Sequence, residues 1–208
     1  MTTQTEAIRI LKAHSEGITC LEDLSDIHFE FVNFKDYDFN NLHLLGTIFE
    51  FCVLDNVYLS GTNLGGASFI NSRLKNNKIV KAEWNNLIIH NSNLEHIFNF
   101  RTDMIQSDIS NTSFKHSVFG KMSFSNSSLK NVIFDHCMFS GVDFNDCNMD
   151  NVSFVSCSCR ASDHETILKY IIGSTVKEIN SKVITATSVD ELLEYWNNYD
   201  SSCCKHRD

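Results

Sequence analysis

The chain has 208 residues, of which 42% are apolar, and this content is sufficient for one domain with a hydrophobic core. Its formal net charge of −9 at pH 7 disfavours direct, non-specific binding to nucleic acid, because such binding depends on neutralising phosphates with Lys and Arg. No apolar run reaches the roughly 18 residues of a membrane span, and the start of the chain lacks a Sec signal pattern, so we expect a cytoplasmic protein, with delivery into a host cell as the alternative.

The N-terminal segment is predicted to form a short helix. Thr3 and Glu6 have the spacing of a capping box, and Gly17 is placed to end the helix. Ile8 and Leu11 would form its apolar side. A helix at this position would cover the open edge of the β structure that follows it.

From Leu24 onward, a large apolar residue returns at every fifth position. Twenty-six of the 27 positions from Leu24 to Phe154 obey this rule, with Asn99 as the exception. Neither a helix nor a regular strand keeps one phase on a five-residue step, so the backbone must coil with every fifth side chain inward. Small or β-branched residues lie two positions earlier, and Asn, Asp or Gly is common two positions later, where tight corners are expected.

This pattern resembles the pentapeptide-repeat family over residues 22–159, about two-thirds of the chain. The resemblance implies an all-β solenoid, namely a right-handed quadrilateral β-helix with four pentapeptides in each coil. Residues twenty apart should then stack at the strand spacing of about 4.8 Å. We divide the chain into an N-terminal helical cap (1–21), the β-helix (22–159) and a C-terminal helical segment with a polar tail (160–208).

Two series of residues, read at a step of twenty, favour this register. The first alternates in charge, so that opposite charges would meet across neighbouring strands: Lys35, Asp55, Lys75, Glu95, Lys115 and Asp135. The second is an asparagine ladder, in which side-chain amides could hydrogen-bond along the axis: Asn71, Asn91, Asn111, Asn131 and Asn151. Both series predict twenty residues per coil.

The corner next to the asparagine ladder stacks three histidines, His96, His116 and His136. We interpret them as polar turn residues, because a linear series suits tetrahedral zinc less well than a converging one. A zinc or nickel site, or a pH-sensitive patch, is the alternative. No metal or other cofactor is therefore predicted.

A third corner stacks Lys81, Arg101 and Lys121. Like charges in one ladder repel each other, so their presence calls for an explanation. Two remain open: a solvated stripe of long side chains, or a surface that receives an acidic partner.

The break in the core period at Asn99 lies between Phe98 and Phe100, whose side chains should then point outward. With other outward residues they would form an apolar strip on a polar surface: Tyr58, Val80, Val118 and Met138. Such a strip is expected to be covered, either by the C-terminal segment of the same chain or by a partner protein.

Four cysteines occupy the inward position for small residues, where a thiol acts as a compact apolar group: Cys52, Cys137, Cys147 and Cys157. Neither disulfides nor a metal cluster are expected there. Cys203 and Cys204 form a vicinal pair in the polar tail. We interpret this pair as functionally silent, with S-acylation or oxidation as the alternative.

The C-terminal segment is predicted to contain two helices. Ser162 and Glu165 could cap the first, and Ser188 and Glu191 the second. The apolar side of the second helix would be formed by Leu192, Leu193, Trp196 and Tyr199. These helices could seal the last coil, fold over the apolar strip or build a homodimer, and the sequence does not choose among the three.

The motifs of enzymes are missing from this sequence: it has no Gly-rich phosphate loop, HExxH pair, GxSxG elbow or CxxC pair. We therefore predict a non-enzymatic scaffold for protein–protein interactions, without a membrane span or direct nucleic-acid binding. A bacterial effector that acts in host cells is an open subclass of this hypothesis. The predicted binding residues are those of the apolar strip together with Lys81, Arg101 and Lys121.

The alternative comes from one branch of the family, which protects DNA gyrase by imitating the shape and charge of duplex DNA. The charge distribution disfavours it for this chain. Residues 22–70 carry eight acids and one base and residues 131–159 four acids and no base, but residues 71–130 carry four acids and eight bases. A protein that imitates DNA, and so binds or inhibits a topoisomerase, should not have a basic waist.

Overall fold

A computed structural model describes residues 2–18 and 23–159 of the chain. The predicted C-terminal helices, the homodimer that they could build and the vicinal pair Cys203 and Cys204 lie outside the described residues. The described part is one N-terminal helix followed by a parallel β-solenoid, which confirms the predicted solenoid and its N-terminal helix.

Helix α1 (Gln4–Ser15) begins as the capping box predicts. The Thr3 side chain accepts a hydrogen bond from the Glu6 backbone N–H at 3.3 Å. The Glu6 carboxylate itself pairs with Arg9, with Oε1 2.6 Å from Nη2, instead of returning to Thr3. The box therefore contributes one of its two hydrogen bonds.

The helix ends in a Schellman motif at Gly17, whose φ is +84°. The Gly17 N–H donates to the His14 carbonyl at 2.9 Å, and the Ile18 N–H donates to the Ala13 carbonyl at 3.0 Å. The buried residues Ala7, Ile10 and Leu11 join the core of the solenoid, and Ile8 is half-buried against it. Helix α1 thus covers the first turn, as expected of a cap.

The strands of the described residues form three parallel sheets along three faces of the solenoid. Face 1 contains β1 (His28–Glu30), β3 (Ile48–Glu50), β5 (Ser68–Ile70), β8 (Ile88–His90), β11 (Asp108–Ser110), β14 (Ser128–Lys130) and β17 (Asn148–Asp150). Face 2 contains β2 (Asn33–Lys35), β4 (Val53–Asp55), β6 (Arg73–Lys75), β9 (Asn93–Glu95), β12 (Ser113–Lys115), β15 (Ile133–Asp135) and β18 (Ser153–Val155). Face 3 contains β7 (Lys78–Val80), β10 (Phe98–Phe100), β13 (Val118–Ser123), β16 (Met138–Asp143) and β19 (Ser158–Cys159).

Face 4 closes each turn with less regular pairing. Single bridges join His43 to Asn63 and Asn63 to Glu83. The second halves of β13 and β16 also pair on this face, with Met122 opposite Val142.

Each strand pairs with the strand twenty residues further along the chain, which confirms the register inferred from the two ladders. Lys75 lies opposite Glu95, and Lys115 opposite both Glu95 and Asp135. The asparagine ladder is hydrogen-bonded along the axis over four of its members, with Nδ2–Oδ1 distances of 3.2, 2.9 and 2.8 Å: Asn91, Asn111, Asn131 and Asn151.

Every fifth residue from Leu24 to Phe154 is buried, including Asn99. Equivalent aromatic rings stack along the axis, as in Phe49 on Phe69, with centroids 4.9 Å apart and planes 7° apart. Phe124 and Phe144 stack in the same way, at 5.0 Å and 5°. The four-sided shape thus follows from one large inward side chain per side, stacked from turn to turn.

The small inward residues do more than fill space. The Ser92 hydroxyl accepts a hydrogen bond from the Ser72 N–H of the preceding coil and donates to the Phe69 carbonyl. Cysteine replaces serine in the donor role at several positions, as where Cys147 Sγ lies 2.7 Å from the Phe124 carbonyl oxygen. These bonds satisfy backbone groups at the turns, which a purely apolar residue would leave buried without a partner.

Every fifth residue from Asp26 to Ser156 lies at a corner and has a φ between 49° and 69°. This left-handed conformation suits Gly, Asn and Asp, and His is also enriched in it. Lys, Arg and Phe are unusual there because their side chains crowd the following carbonyl group. The residue type at each corner therefore shows where the left-handed backbone costs little free energy, as with Gly, Asn or Asp, and where it costs more, as with Lys, Arg or Phe.

Candidate interaction surface on face 3

The residues predicted to form the apolar strip all lie on face 3, and none of them is fully buried: Tyr58, Val80, Phe98, Phe100, Val118 and Met138. They form two parallel rows, because outward side chains alternate with the buried one in each strand. The first row runs from Tyr58 through Phe98, Val118 and Met138, and the second contains Val80 and Phe100.

Lys78 interrupts the first row. It lies between Tyr58 and Phe98 in the register and is exposed. It lines a shallow surface depression together with Val80, Lys81, Phe98 and Phe100 among others. Lys78 is not among the binding residues predicted from the sequence, although a step of twenty back from Phe98 reaches it.

Phe100 is the centre of this surface. Its ring lies 6.4 Å from that of Phe98, with the planes 20° apart. A Cβ on Gly120 would come within 2.7 Å of the Phe100 ring, so the absence of a side chain at Gly120 leaves the room that this ring occupies. The glycine thus permits an aromatic side chain to lie along the sheet surface.

Lys81, Arg101 and Lys121 occupy successive corner positions at the edge of face 3, and we call them the basic corner. Arg101 Cζ lies 5.5 Å from the centre of the Phe100 ring, and Lys121 Nζ lies 5.9 Å from it. These are the outer limits of cation–π contact, so each contributes about 0.5 kcal/mol. The structure therefore brings the basic corner and the apolar strip together around one ring.

The basic corner lowers the stability of the fold in two ways. All three residues have a positive φ, at 53°, 55° and 50°, a conformation that costs roughly 1–2 kcal/mol for residues other than Gly, Asn and Asp. Within residues 2–18 and 23–159, no carboxylate lies within 4.0 Å of their charged atoms. The three like charges therefore have neither a favourable backbone nor a carboxylate within ion-pair distance among those residues.

Asn99 lies beneath this surface and is wholly buried between Ile79 and Phe119. In the described structure, neither its side-chain nitrogen nor its oxygen has a hydrogen-bond partner. A buried amide without a partner costs about 1–3 kcal/mol. The structure around face 3 is thus destabilised both by Asn99 in the core beneath it and by the basic corner at its edge.

The predicted histidine column is present, with ring centroids 5.2 Å apart for His96 and His116 and 5.1 Å for His116 and His136. His136 Nδ1 lies 2.6 Å from an Asp135 carboxylate oxygen, and His96 Nε2 lies 3.5 Å from one of Glu95. Among the described residues, no group of three or more His, Cys, Asp or Glu side chains could hold a metal ion. The column resembles the other polar corners in conformation.

A second exposed aromatic feature, which sequence reasoning missed, lies at the corner between faces 1 and 2. Phe31 and Phe51 stack with centroids 5.0 Å apart and planes 7° apart, and they are 71% and 44% exposed. Both have a positive φ, at 57° and 51°. The signal was present in the sequence, since Phe occupies two corner positions where Asn, Asp or Gly is usual.

The four inward cysteines are free thiols, three of them buried and Cys147 half-buried. Burial raises the pKa of Cys52 and Cys157, and it raises the pKa of Cys147 to about 11. Such thiols carry almost no thiolate near neutral pH and are poor nucleophiles. This agrees with the prediction that they act as compact packing groups.

No helix in residues 2–18 or 23–159 has the length and apolar character needed to cross a membrane. The family model described as Pentapeptide repeats matches eight copies, at residues 52–83, 107–146 and 123–155. No protein with a curated description matches the sequence.

Several solved structures are similar to this chain. Rfr23, a pentapeptide repeat protein from the cyanobacterium Cyanothece 51142, is 14% identical, with a TM-score of 0.48 over 53% of this chain and 85% of that one. HetL, from Nostoc sp. strain PCC 7120 and involved in heterocyst differentiation regulation, is 12% identical, with a TM-score of 0.39 over 77% and 81%. QnrB1, a plasmid-mediated fluoroquinolone resistance protein, is 14% identical, with a TM-score of 0.30 over 64% and 82%.

Proposed function

We propose that the chain, whose residues 52–83 and 107–155 match the model of the pentapeptide-repeat family, is a non-catalytic scaffold that binds a partner protein through face 3. The binding surface consists of the apolar strip, the basic corner and Lys78. Solenoid proteins generally use their long surfaces for binding, while their interior is filled by side chains stacked from repeat to repeat. The stacked rings of the core fit this description.

The observation that carries the proposal is the basic corner. Lys81, Arg101 and Lys121 stand where Asn or Gly would be conformationally easier, and they stand beside each other despite their like charge. Strained conformations of this kind cluster at functional sites. A purely structural corner would use asparagine, as the ladder from Asn91 to Asn151 does.

The chemistry of the surface indicates what the partner presents. Phe98, Phe100 and Val118 offer apolar contacts, while the basic corner offers charge-assisted hydrogen bonds to carboxylates. The fitting partner is a protein segment that carries apolar side chains next to Asp or Glu. Attraction between the basic corner and carboxylates of the partner would govern the rate and specificity of association. The aromatic contacts that become buried on binding would supply most of the affinity.

Mimicry of DNA toward gyrase or another topoisomerase is the competing function. It needs carboxylates where duplex DNA has phosphates. Face 3 instead carries four cations within a few turns: Lys78, Lys81, Arg101 and Lys121. The experiment below also detects this competing function.

The proposal is tested by capture with a photocrosslinking amino acid in place of Val118, in bacterial lysate and in host-cell lysate. The decisive variant is the triple change Lys81→Asn, Arg101→Asn and Lys121→Asn, which removes the charges but suits the left-handed corners. The matched control makes the same change at the neighbouring column: His96→Asn, His116→Asn and His136→Asn.

We expect one protein to be captured by the native chain and by the histidine control, and to be lost with the basic-corner variant. Recovery from host lysate alone would support an effector that acts in host cells. Recovery of gyrase or topoisomerase subunits that persists in the basic-corner variant would contradict the proposal in favour of DNA mimicry. Loss of the captured protein in the histidine control alone would move the site to the histidine column.

A further inference from the structure

We infer that a second copy of this chain binds to face 3 through the stacked pair Phe31 and Phe51 together with Glu30 and Glu50. We call these four residues the acidic corner. The inference rests on the proposed function for the surface on face 3, and it names the occupant of that surface. Apolar side chains next to carboxylates are what the basic corner and the apolar strip require of a partner, and the acidic corner has both.

The acidic corner carries the same two unfavourable features as the basic corner. Phe31 and Phe51 have φ values of 57° and 51°, at which a bulky side chain crowds the following carbonyl group. Glu30 and Glu50 lie directly opposite each other in the register of β1 and β3, so two like charges are neighbours. Asn71, the next residue on this edge, begins the asparagine series that suits the same backbone. The first two coils therefore depart from the structural pattern of this edge.

The side chains of the acidic corner are accessible to a partner. Phe31 and Phe51 are largely exposed, and Glu30 is exposed as well. In the part of the chain that the structure describes, no basic nitrogen lies within 4.0 Å of the Glu30 carboxylate. Glu50 lies beside His28, with Oε2 3.1 Å from Nε2. Two exposed rings and two carboxylates thus form one small surface.

The order of charge and ring is reversed between the two surfaces. At the acidic corner the carboxylate lies on face 1 and the ring occupies the corner, as in Glu30 followed by Phe31. At the basic corner the ring lies on face 3 and the cation occupies the corner, as in Phe100 followed by Arg101. When two solenoids lie side by side with parallel axes, their chains cross the contact in opposite directions. Each carboxylate then meets a cation while each ring meets an apolar side chain.

The spacing of the two surfaces also agrees. Successive members of each are one strand spacing apart, about 4.8 Å, because the coil sets both. The contact sets Phe51 against Phe100 and, one coil earlier, Phe31 against Val80. The two carboxylates then lie opposite the first two cations of the basic corner. A shift by one coil would set Phe51 against Gly120, which has no side chain to contact.

The two surfaces lie at opposite corners of the four-sided cross-section. The acidic corner separates faces 1 and 2, whereas the basic corner separates faces 3 and 4. One neighbouring copy therefore cannot occupy both surfaces of a chain. Contacts of this kind are heterologous, and they extend into chains or rings instead of closing as twofold dimers. We expect self-association that continues beyond the dimer.

Self-association is measured by sedimentation of the full-length protein between roughly 10 µM and 1 mM, the range suited to a small transient interface. The mean mass of the native chain should at least double across this range, and it should fall back in roughly 0.5 M salt, which screens the ionic contacts. Two variants should each keep a constant mass, and asparagine suits the left-handed corners in both. The acidic-corner variant carries Phe31→Asn, Phe51→Asn, Glu30→Gln and Glu50→Gln. The basic-corner variant carries Lys81→Asn, Arg101→Asn and Lys121→Asn.

The two variants also complement each other. Each retains the surface that the other lacks, so mixing them should restore association, which misfolded variants could not do. The histidine control, His96→Asn, His116→Asn and His136→Asn, should associate as the native chain does. The inference is overturned if the native mass stays constant with concentration, or if either variant associates as strongly as the native chain.

A crosslink locates the contact in the native protein. A carbodiimide joins a carboxylate to an amine only when the two groups are in contact. We expect it to join Glu30 of one chain to Lys81 of another, and a mixture of isotope-labelled and unlabelled protein shows that the link runs between chains. The absence of any such link from Glu30 or Glu50 to Lys81 or Lys121 would also overturn the inference.

The same variants keep the two proposals apart. If the native chain does not self-associate while the basic-corner variant loses a protein captured from lysate, the second copy is refuted and the proposed function stands. If self-association requires both corners while the basic-corner variant retains the protein captured from lysate, the second copy stands and the proposed site for that protein fails.

Discussion

Single residues in this solenoid have readily identified roles because each occupies one of five repeated positions. Inward, outward and corner positions follow from phase alone, so burial was predictable for nearly every residue of the repeats. Asn99 is the instructive case. The sequence showed that it breaks the apolar series, but only the structure shows that its amide is buried without a hydrogen-bond partner among the described residues.

Cys147 offers a test of the inward position by pH. Its pKa is raised to about 11 by burial, whereas an unfolded thiol titrates near pH 8.5. Below the unfolded value of about 8.5 the thiol is protonated in both the folded and the unfolded chain, and the stability from burying the neutral thiol is fully present. As pH rises from about 9 to 11, only the unfolded thiol loses its proton, so stability falls by up to roughly 1.4 kcal/mol per pH unit.

We therefore expect Cys147→Ser to lose less stability between pH 8 and pH 10 than the native chain does, measured by urea unfolding under reducing conditions. Serine is the natural control, because Ser127, one coil earlier, donates to the Met104 carbonyl in the equivalent geometry. Cys52 and Cys157, whose pKa values are also raised, keep part of the alkaline dependence in the variant. Equal losses in both proteins would show that the Cys147 thiol does not contribute.

At the scale of elements, the residue type at the corner distinguishes structural turns from specialised ones. One edge carries side-chain amides that hydrogen-bond to each other, those of Asn91, Asn111 and Asn131. Another edge carries three cationic side chains, those of Lys81, Arg101 and Lys121. The sequence predicted both ladders. It could not predict that Phe100 and Gly120 place an aromatic ring between the cations, because that depends on side-chain rotamers on a sheet surface.

The triple change of the basic corner to asparagine should raise the free energy of unfolding, by about 2–5 kcal/mol if each left-handed corner costs roughly 1–2 kcal/mol and each cation–π contact contributes about 0.5 kcal/mol. Relief of the left-handed corners and of like-charge repulsion is expected to outweigh two weak cation–π contacts with Phe100. Chemical denaturation of the full chain measures this. A loss of stability greater than about 1 kcal/mol would mean that the cations serve the fold, and would remove the main support for a binding role.

At the scale of the molecule, the architecture followed from the sequence because one period of five repeats throughout residues 22–159. Helix α1 was also predictable, since its cap and its terminating glycine have local signals. The surface was only partly predictable. The strip residues were assigned to one face, but Lys78 within it and the stacked pair Phe31 and Phe51 at another corner were missed, because the five-residue period sets the residue type at inward positions but not at outward and corner ones.

The binding role of face 3 is tested by the affinity of the captured partner for three purified full-length proteins: the native chain, the basic-corner variant and the histidine control. We predict that the basic-corner variant binds at least about tenfold more weakly, which corresponds to about 1.4 kcal/mol, while it unfolds no more easily than the native chain. The histidine control should keep the native affinity. Native affinity in the basic-corner variant would contradict the proposal that face 3 and its basic corner form the binding surface.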